Sequence, residues 1–197
     1  MRLLILSAVL LTTTLLAQPS NPDLLEAPRR GDLNGVRTAL DGGVNENVTN
    51  KYGVSALGFA AEHGHFAIVR LLVERGADVN AMDSFYGSRP VDFALRGGHL
   101  DIAVYLLEHK SQGAVTVLNT ATRRRDARAV KVALDTKQAD AAALAAASAL
   151  AQDSDPAVVE QLPEAARNLI VASADLYARV KRLDEGTVAD EPAQSPA

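Results

Sequence analysis

His63 and His65 flank Gly64, and His99 and His109 follow, so imidazole is the first place to look for metal chemistry. Two histidines alone make a poor site. No Cys exists in the chain and no clustered acid completes the set, so the reading is no metal. Ser55, Ser148 and Ser154 would be the hydroxyl nucleophiles, but they fall at helix caps and at helix or turn positions. There is no glycine-rich phosphate loop, no strand leading to a nucleophile and no paired acids placed for a pocket. Catalytic and cofactor-binding residues are therefore none, and the chain does not read as an enzyme. One dense basic run remains: Arg123, Arg124, Arg125, Arg128 and Lys131. Helical spacing puts Arg124, Arg128 and Lys131 on one side, diluted by Asp126 and Asp135. Such a run can dock an acidic partner or an anionic membrane. The favoured reading is a solvated helix face with intrahelical ion pairs.

The elements that carry these residues are set by an internal repeat. Tyr52, Gly53, Phe59, Ala60, Gly64, His65, Ile68, Leu72 and Glu74 recur thirty-four positions later. Their copies are Tyr86, Gly87, Phe93, Ala94, Gly98, His99, Ile102, Leu106 and Glu108. A period of this size means one supersecondary unit copied and stacked. Within the unit, Ser55 is an N-cap for a helix over 56–63 that carries Leu57, Phe59, Ala60 and Ala61. Gly64 ends it by accepting the left-handed conformation. A second helix shows Phe66, Ile68, Val69, Leu71 and Leu72 as its apolar stripe and closes at Arg75-Gly76. Each helix is too short to stand alone, so each pair must bury its apolar flank on the next.

Ser55-Ala56-Leu57-Gly58, Ala60-Ala61, Gly64-His65, Ile68-Val69, Leu71-Leu72 and Gly76-Ala77-Asp78-Val79-Asn80 resemble an ankyrin repeat. The Thr-Pro-Leu-His signature is degenerate here and again at Arg89-Pro90-Val91-Asp92. The resemblance implies an all-α solenoid of stacked helix–turn–helix units with fingers projecting to one side. It also implies binding of proteins through those fingers and the inner helices. His65 and His99 would then be turn residues whose rings bond neighbouring backbone. Weaker copies flank the two clear units. Gly31-Asp32, Val36 and Gly43 align with Gly64-His65, Val69 and Gly76, although Pro28 should shorten or kink the first helix. After residue 112 the pattern decays, and a helix over 164–183 is expected to cap the stack.

Only eight aromatics are present, so their places matter. Phe59, Phe66, Phe93 and Tyr105 align with buried helix positions. Tyr52, Phe85 and Tyr86 fall at finger tips, and Phe85 sits where the period stretches by one residue. Rigid aromatics on an exposed rim suit a protein interface; the competing reading is rim packing between adjacent fingers. Lys51, Val54, Glu62, His63, Ser88 and Arg96 share that face and make it mixed and neutral. These nine residues form the candidate partner-binding set.

The ends bound the rest. Arg2 followed by an apolar stretch over 3–16 and Ala17 fits a secretory signal peptide, too short to span a bilayer comfortably. Removing it takes Arg2 from the 20 basic residues and leaves 19 against 24 acids, a formal charge of −5. Such a balance gives no basic face for nucleic acid. The expected layout is a signal peptide over 1–17, a linker over 18–22 and ankyrin repeats over 23–136. Those repeats divide into an N-cap at 24–49, units at 50–82 and 83–112, and a degenerate unit at 113–136. A degenerate repeat plus capping helix occupies 137–183, and a solvated tail 184–197. The functional expectation is an exported, monomeric, non-enzymatic module that binds another protein, needs no cofactor, and is not stably inserted in a membrane after signal cleavage. Its expected place is a bacterial periplasm or the medium. The alternatives are a secreted effector mimicking host ankyrin proteins, or a small-ligand carrier or accessory enzyme using the Ala-rich C-terminal half.

Overall fold

The computed structural model describes residues 21–151, 156–164, 166 and 167. The expected signal peptide, the tail and most of the 164–183 helix lie outside the described residues. Ten helices are described: α1 (Asn21–Arg30), α2 (Leu33–Asp41), α3 (Ala56–Glu62), α4 (Phe66–Glu74), α5 (Pro90–Gly97), α6 (Leu100–Glu108), α7 (Ala114–Arg124), α8 (Ala127–Asp135), α9 (Ala141–Ala151) and α10 (Pro156–Gln161). They pair as α1–α2, α3–α4, α5–α6, α7–α8 and α9–α10. The first members pack α1 on α3, α3 on α5, α5 on α7 and α7 on α9 as an inner row. The second members form an outer row through α2 on α4, α6 on α8 and α8 on α10. Among the described residues the sole β pairing is an isolated bridge between Thr49 and Ser55. The fold is the stacked helix–turn–helix solenoid that the repeat requires.

Local chemistry explains each hairpin. Asp32, Ser55 and Asp126 cap the helices after them by accepting from the N–H of Gly35 (2.8 Å), Gly58 (3.1 Å) and Ala129 (2.9 Å). Between inner and outer helix the chain turns through the left-handed region at Gly31 (φ 74°), Gly64 (φ 76°) and Gly98 (φ 87°). Arg125 takes the same role without glycine, at φ 58°. The core is continuous along the stack: Leu57, Ile68, Leu72, Ile102, Leu106, Val117, Leu118, Val130, Val158 and Leu162 are all buried. Hydrophobic burial thus accumulates unit by unit, as a solenoid demands.

The connections between units differ in length. Those at 42–55 and 75–89 are long and project as fingers, whereas those at 109–113 and 136–140 are short links. Amide side chains tie successive connections together. Asn47 Oδ1 accepts from Asp78 N (2.7 Å), and Asn80 Oδ1 from Gln112 N (2.7 Å). Gln138 Oε1 continues the series by accepting from Gly113 N (3.1 Å) and Ala114 N (3.2 Å).

Three expectations are corrected. The linker drawn at 18–22 overlaps α1, which begins at Asn21 and carries Pro28 inside it. Phe66 is not buried: it is 37% exposed. The buried stripe of α4 is Ile68, Val69, Leu71 and Leu72, and Phe66 lies four residues from exposed Arg70, on the opposite face. The basic run is not one helix face, because the turn at Arg125 separates α7 from α8. Arg124 turns to donate to the Gly98 carbonyl (2.9 Å), Arg128 approaches Glu108 of α6 (3.9 Å), and Lys131–Asp135 (2.8 Å) is an intrahelical pair.

Candidate functional site

The two long fingers are held side by side by their backbones. Ser84 N donates to the Tyr52 carbonyl at 2.8 Å. Gly53, at φ 78°, permits this approach, since a Cβ there would meet Ser84 N at 2.8 Å. Within the second finger the organising residue is Asp83, buried at the base of the loop. Its Oδ1 accepts from the N–H of Phe85 (2.8 Å) and Tyr86 (2.7 Å), and its Oδ2 from Ser88 N (2.8 Å). Asp83 N in turn donates to the Ser88 carbonyl at 3.0 Å. The Tyr86 N–H is the main reason the Asp83 carboxyl sits below its ordinary pKa, with desolvation opposing and the Phe85 and Ser88 bonds reinforcing it. The loop is thereby locked with its aromatics outward.

Tyr52, Phe85 and Tyr86 are 52%, 71% and 76% exposed. Phe85 and Tyr86 meet edge to face at 4.5 Å between centroids, so each limits the other's freedom. Together with Val54 they wall a groove of about 380 Å³ whose inner side is Phe93 and Arg96 of α5, with Asp83 at its base. Arg96 is fixed from three directions: over the Phe93 ring at 4.8 Å, donating to Ser88 Oγ at 3.2 Å, and 3.9 Å from Glu62 of α3. Lys51 lies over Tyr52 at 4.9 Å and extends the rim.

The structure therefore gathers Tyr52, Val54, Phe85, Tyr86 and Arg96 around one groove, with Lys51 and Glu62 at its margins. Ser88 is buried and positions Arg96 and the loop. His63 stays apart, its Nδ1 donating to the Phe59 carbonyl of its own helix at 2.9 Å. The rings of His63 and His65 lie parallel at 6.2 Å, and among the described residues no three His, Cys, Asp or Glu side chains converge as metal ligands. Asp83 and Phe93 were missing from the candidate set. An Asp opening the turn-forming run Asp-Ser-Phe-Tyr-Gly-Ser was the legible signal for the first.

Residues 24–116 match the family described as ankyrin repeats, in three copies. The chain carries an ankyrin-repeat array. Ankyrin repeat and SAM domain-containing protein 6 of Mus musculus is 45% identical over 99 residues, covering 50% of this chain and 11% of that protein. NF-kappa-B inhibitor cactus of Drosophila melanogaster is 39% identical over 61 residues, covering 31% and 12%. Palmitoyltransferase ZDHHC13 of Homo sapiens is 28% identical over 95 residues, covering 48% and 15%. The chain spans 15% or less of the length of these relatives. Residues 125–197 match a second family, described as a protein of unknown function (DUF1465). That match begins at the left-handed turn residue Arg125, yet α8 packs on α6 and α7, so its first helix continues the ankyrin stack. Ankyrin repeats mark a protein–protein interaction module, and the groove lies between their fingers and inner helices.

Proposed function

We propose that this chain is a non-enzymatic binding module that holds one partner polypeptide in the groove between its two long fingers and α5. The observation that carries this reading is the exposure of three rigid aromatics around an apolar groove whose loop is locked by Asp83. Large aromatics supply contact area at low entropic cost and are typical interface anchors. Their outward posture is already fixed, so little ordering remains for binding to offset. Phe85 and Tyr86 anchor the partner, Tyr52 and Val54 flank it, and Arg96 and Lys51 supply directional polar contacts at the edge. The protein acts as a monomer, exported by its N-terminal leader to the periplasm or the medium.

The test is quantitative affinity purification of the mature chain from its native extract, run beside Phe85→Ala/Tyr86→Ala. The double variant should lose the captured partner by about tenfold or more, as expected when hot-spot aromatics are truncated. Its melting midpoint should match that of the parent. Loss of folding in the variant would favour finger packing over binding. Cell fractionation with a tagged full chain checks export; retention of uncleaved protein in the cytoplasm overturns that part alone.

A further inference from the structure

On the opposite side of the solenoid, α4, α6 and α8 enclose a cavity of about 350 Å³. One wall is aromatic. Phe66, exposed against the pattern of its helix, meets Tyr105 edge to face at 5.2 Å, and the Tyr105 ring packs on His109 at 4.1 Å. The floor is apolar, formed by Val104 and Ala129. Around the mouth stand Asp101, Glu108 and Asp126 against the single guanidinium of Arg128. That guanidinium is 81% exposed and only approaches Glu108, at 3.9 Å, so it neutralises the rim weakly. Asp126 spends one oxygen on the α8 cap, while Asp101 pairs with no cation among the described residues.

Two independent features agree on the occupant. Faces of Phe and Tyr attract cations through their quadrupole, and the carboxylates supply the opposite charge at the entrance. Burial is the main reason the Tyr105 hydroxyl sits above its ordinary pKa, with Glu74 and Glu108 adding to it and Arg70 opposing. An anionic group would meet three carboxylates against one guanidinium, so the balance opposes it, and the three acids do not converge as a metal site.

We infer that this outer-row cavity is a second binding site, distinct from the finger groove, that accepts an arginine side chain from a basic polypeptide segment. The guanidinium stacks on the Phe66–Tyr105 wall and pairs with Asp101 and Glu108, displacing Arg128 toward solvent. An overall formal charge of −4 favours the approach of such a segment.

The probe is the peptide acetyl-(Arg-Gly)3-amide, compared with the same peptide carrying citrulline, which keeps the shape and removes the charge. Titration of the full chain by amide NMR should give saturable shifts confined to residues around 66, 101–108 and 126–129. Asp101→Asn/Glu108→Gln, both exposed and outside the core, and separately Tyr105→Leu, should each raise Kd about tenfold. Citrulline should abolish binding, and added salt should weaken it. Equal affinity of the citrulline peptide, unchanged Kd in both variants, or shifts scattered over all acidic surfaces would overturn the assignment. Phe85→Ala/Tyr86→Ala leaves this titration untouched, so failure here and failure at the fingers are separable.

Discussion

The imidazole of His99 lies against Gly64, the left-handed turn residue of the preceding unit, so closely that a Cβ on Gly64 would enter the ring. His65 stands in the same relation to Gly31 one unit earlier. The expected role of these histidines was to bond neighbouring backbone. What the structure places there is a ring packed over the previous turn, linking unit to unit. Gly64→Ala combines a left-handed cost of about 1–2 kcal/mol with this collision. Gly43→Ala meets the same backbone cost, at φ 85°, with open space around the Cβ. Urea denaturation should therefore show Gly64→Ala as the more destabilised of the two; equal losses would mean the histidine ring gives way freely.

Asp83 links stability to pH. Its folded pKa is lowered from 3.8, so its contribution is complete above the unfolded value and is lost as the pH falls through the lower folded one. Asp83→Ala leaves the buried Ser88 N–H and the part-buried N–H groups of Phe85 and Tyr86 without this acceptor, a loss of about 1–3 kcal/mol at neutral pH. The gap between parent and variant should narrow as the solution is acidified below about pH 4, the ordinary carboxylate range. A gap that stays constant would mean that the loop is held by its backbone alone.

Lys137 occupies the left-handed region at φ 58°, as Lys110 does at φ 68° in the preceding unit, where the two units before them use Gly43 and Gly76. Lys137→Gly relieves a strain of about 1 kcal/mol and should raise the thermal midpoint by a few degrees. A lower midpoint would show that the lysine stem contributes packing that outweighs its backbone cost.

Gln138 joins α7 to the last described units through three bonds, accepting from Gly113 and Ala114 and donating to the Ser111 carbonyl at 3.0 Å. Gln138→Ala should cost about 1–3 kcal/mol by leaving those backbone groups unpaired. Hydrogen exchange should then speed at Gly113 and Ala114 while the amides of α3 and α4 keep their protection. Uniform acceleration along the chain would argue against a local role.

Much of this protein was legible in residue order because a solenoid is built from local rules. The spacing of Leu57, Ile68 and Leu72, the cap at Ser55 and the glycine at Gly64 specify a hairpin through residues close in sequence. Copying the hairpin then fixes the stack. The finger aromatics were legible for the same reason, since Tyr52 and Tyr86 share a register position outside both helices. What depended on other units was not legible. Phe66 matched its helix in hydropathy but not in direction, and only the position of Tyr105 on α6 reveals the wall they form. Arg124 and Arg128 read as one charged face until the left-handed turn at Arg125 sent one to Gly98 and the other to Glu108. Asp83 gains its role only where folding buries it among the N–H groups of its own loop. Periodicity determined the architecture because neighbours in sequence carry it, whereas the two cavities arose from side chains roughly thirty residues apart meeting across the stack, a matter of packing alone.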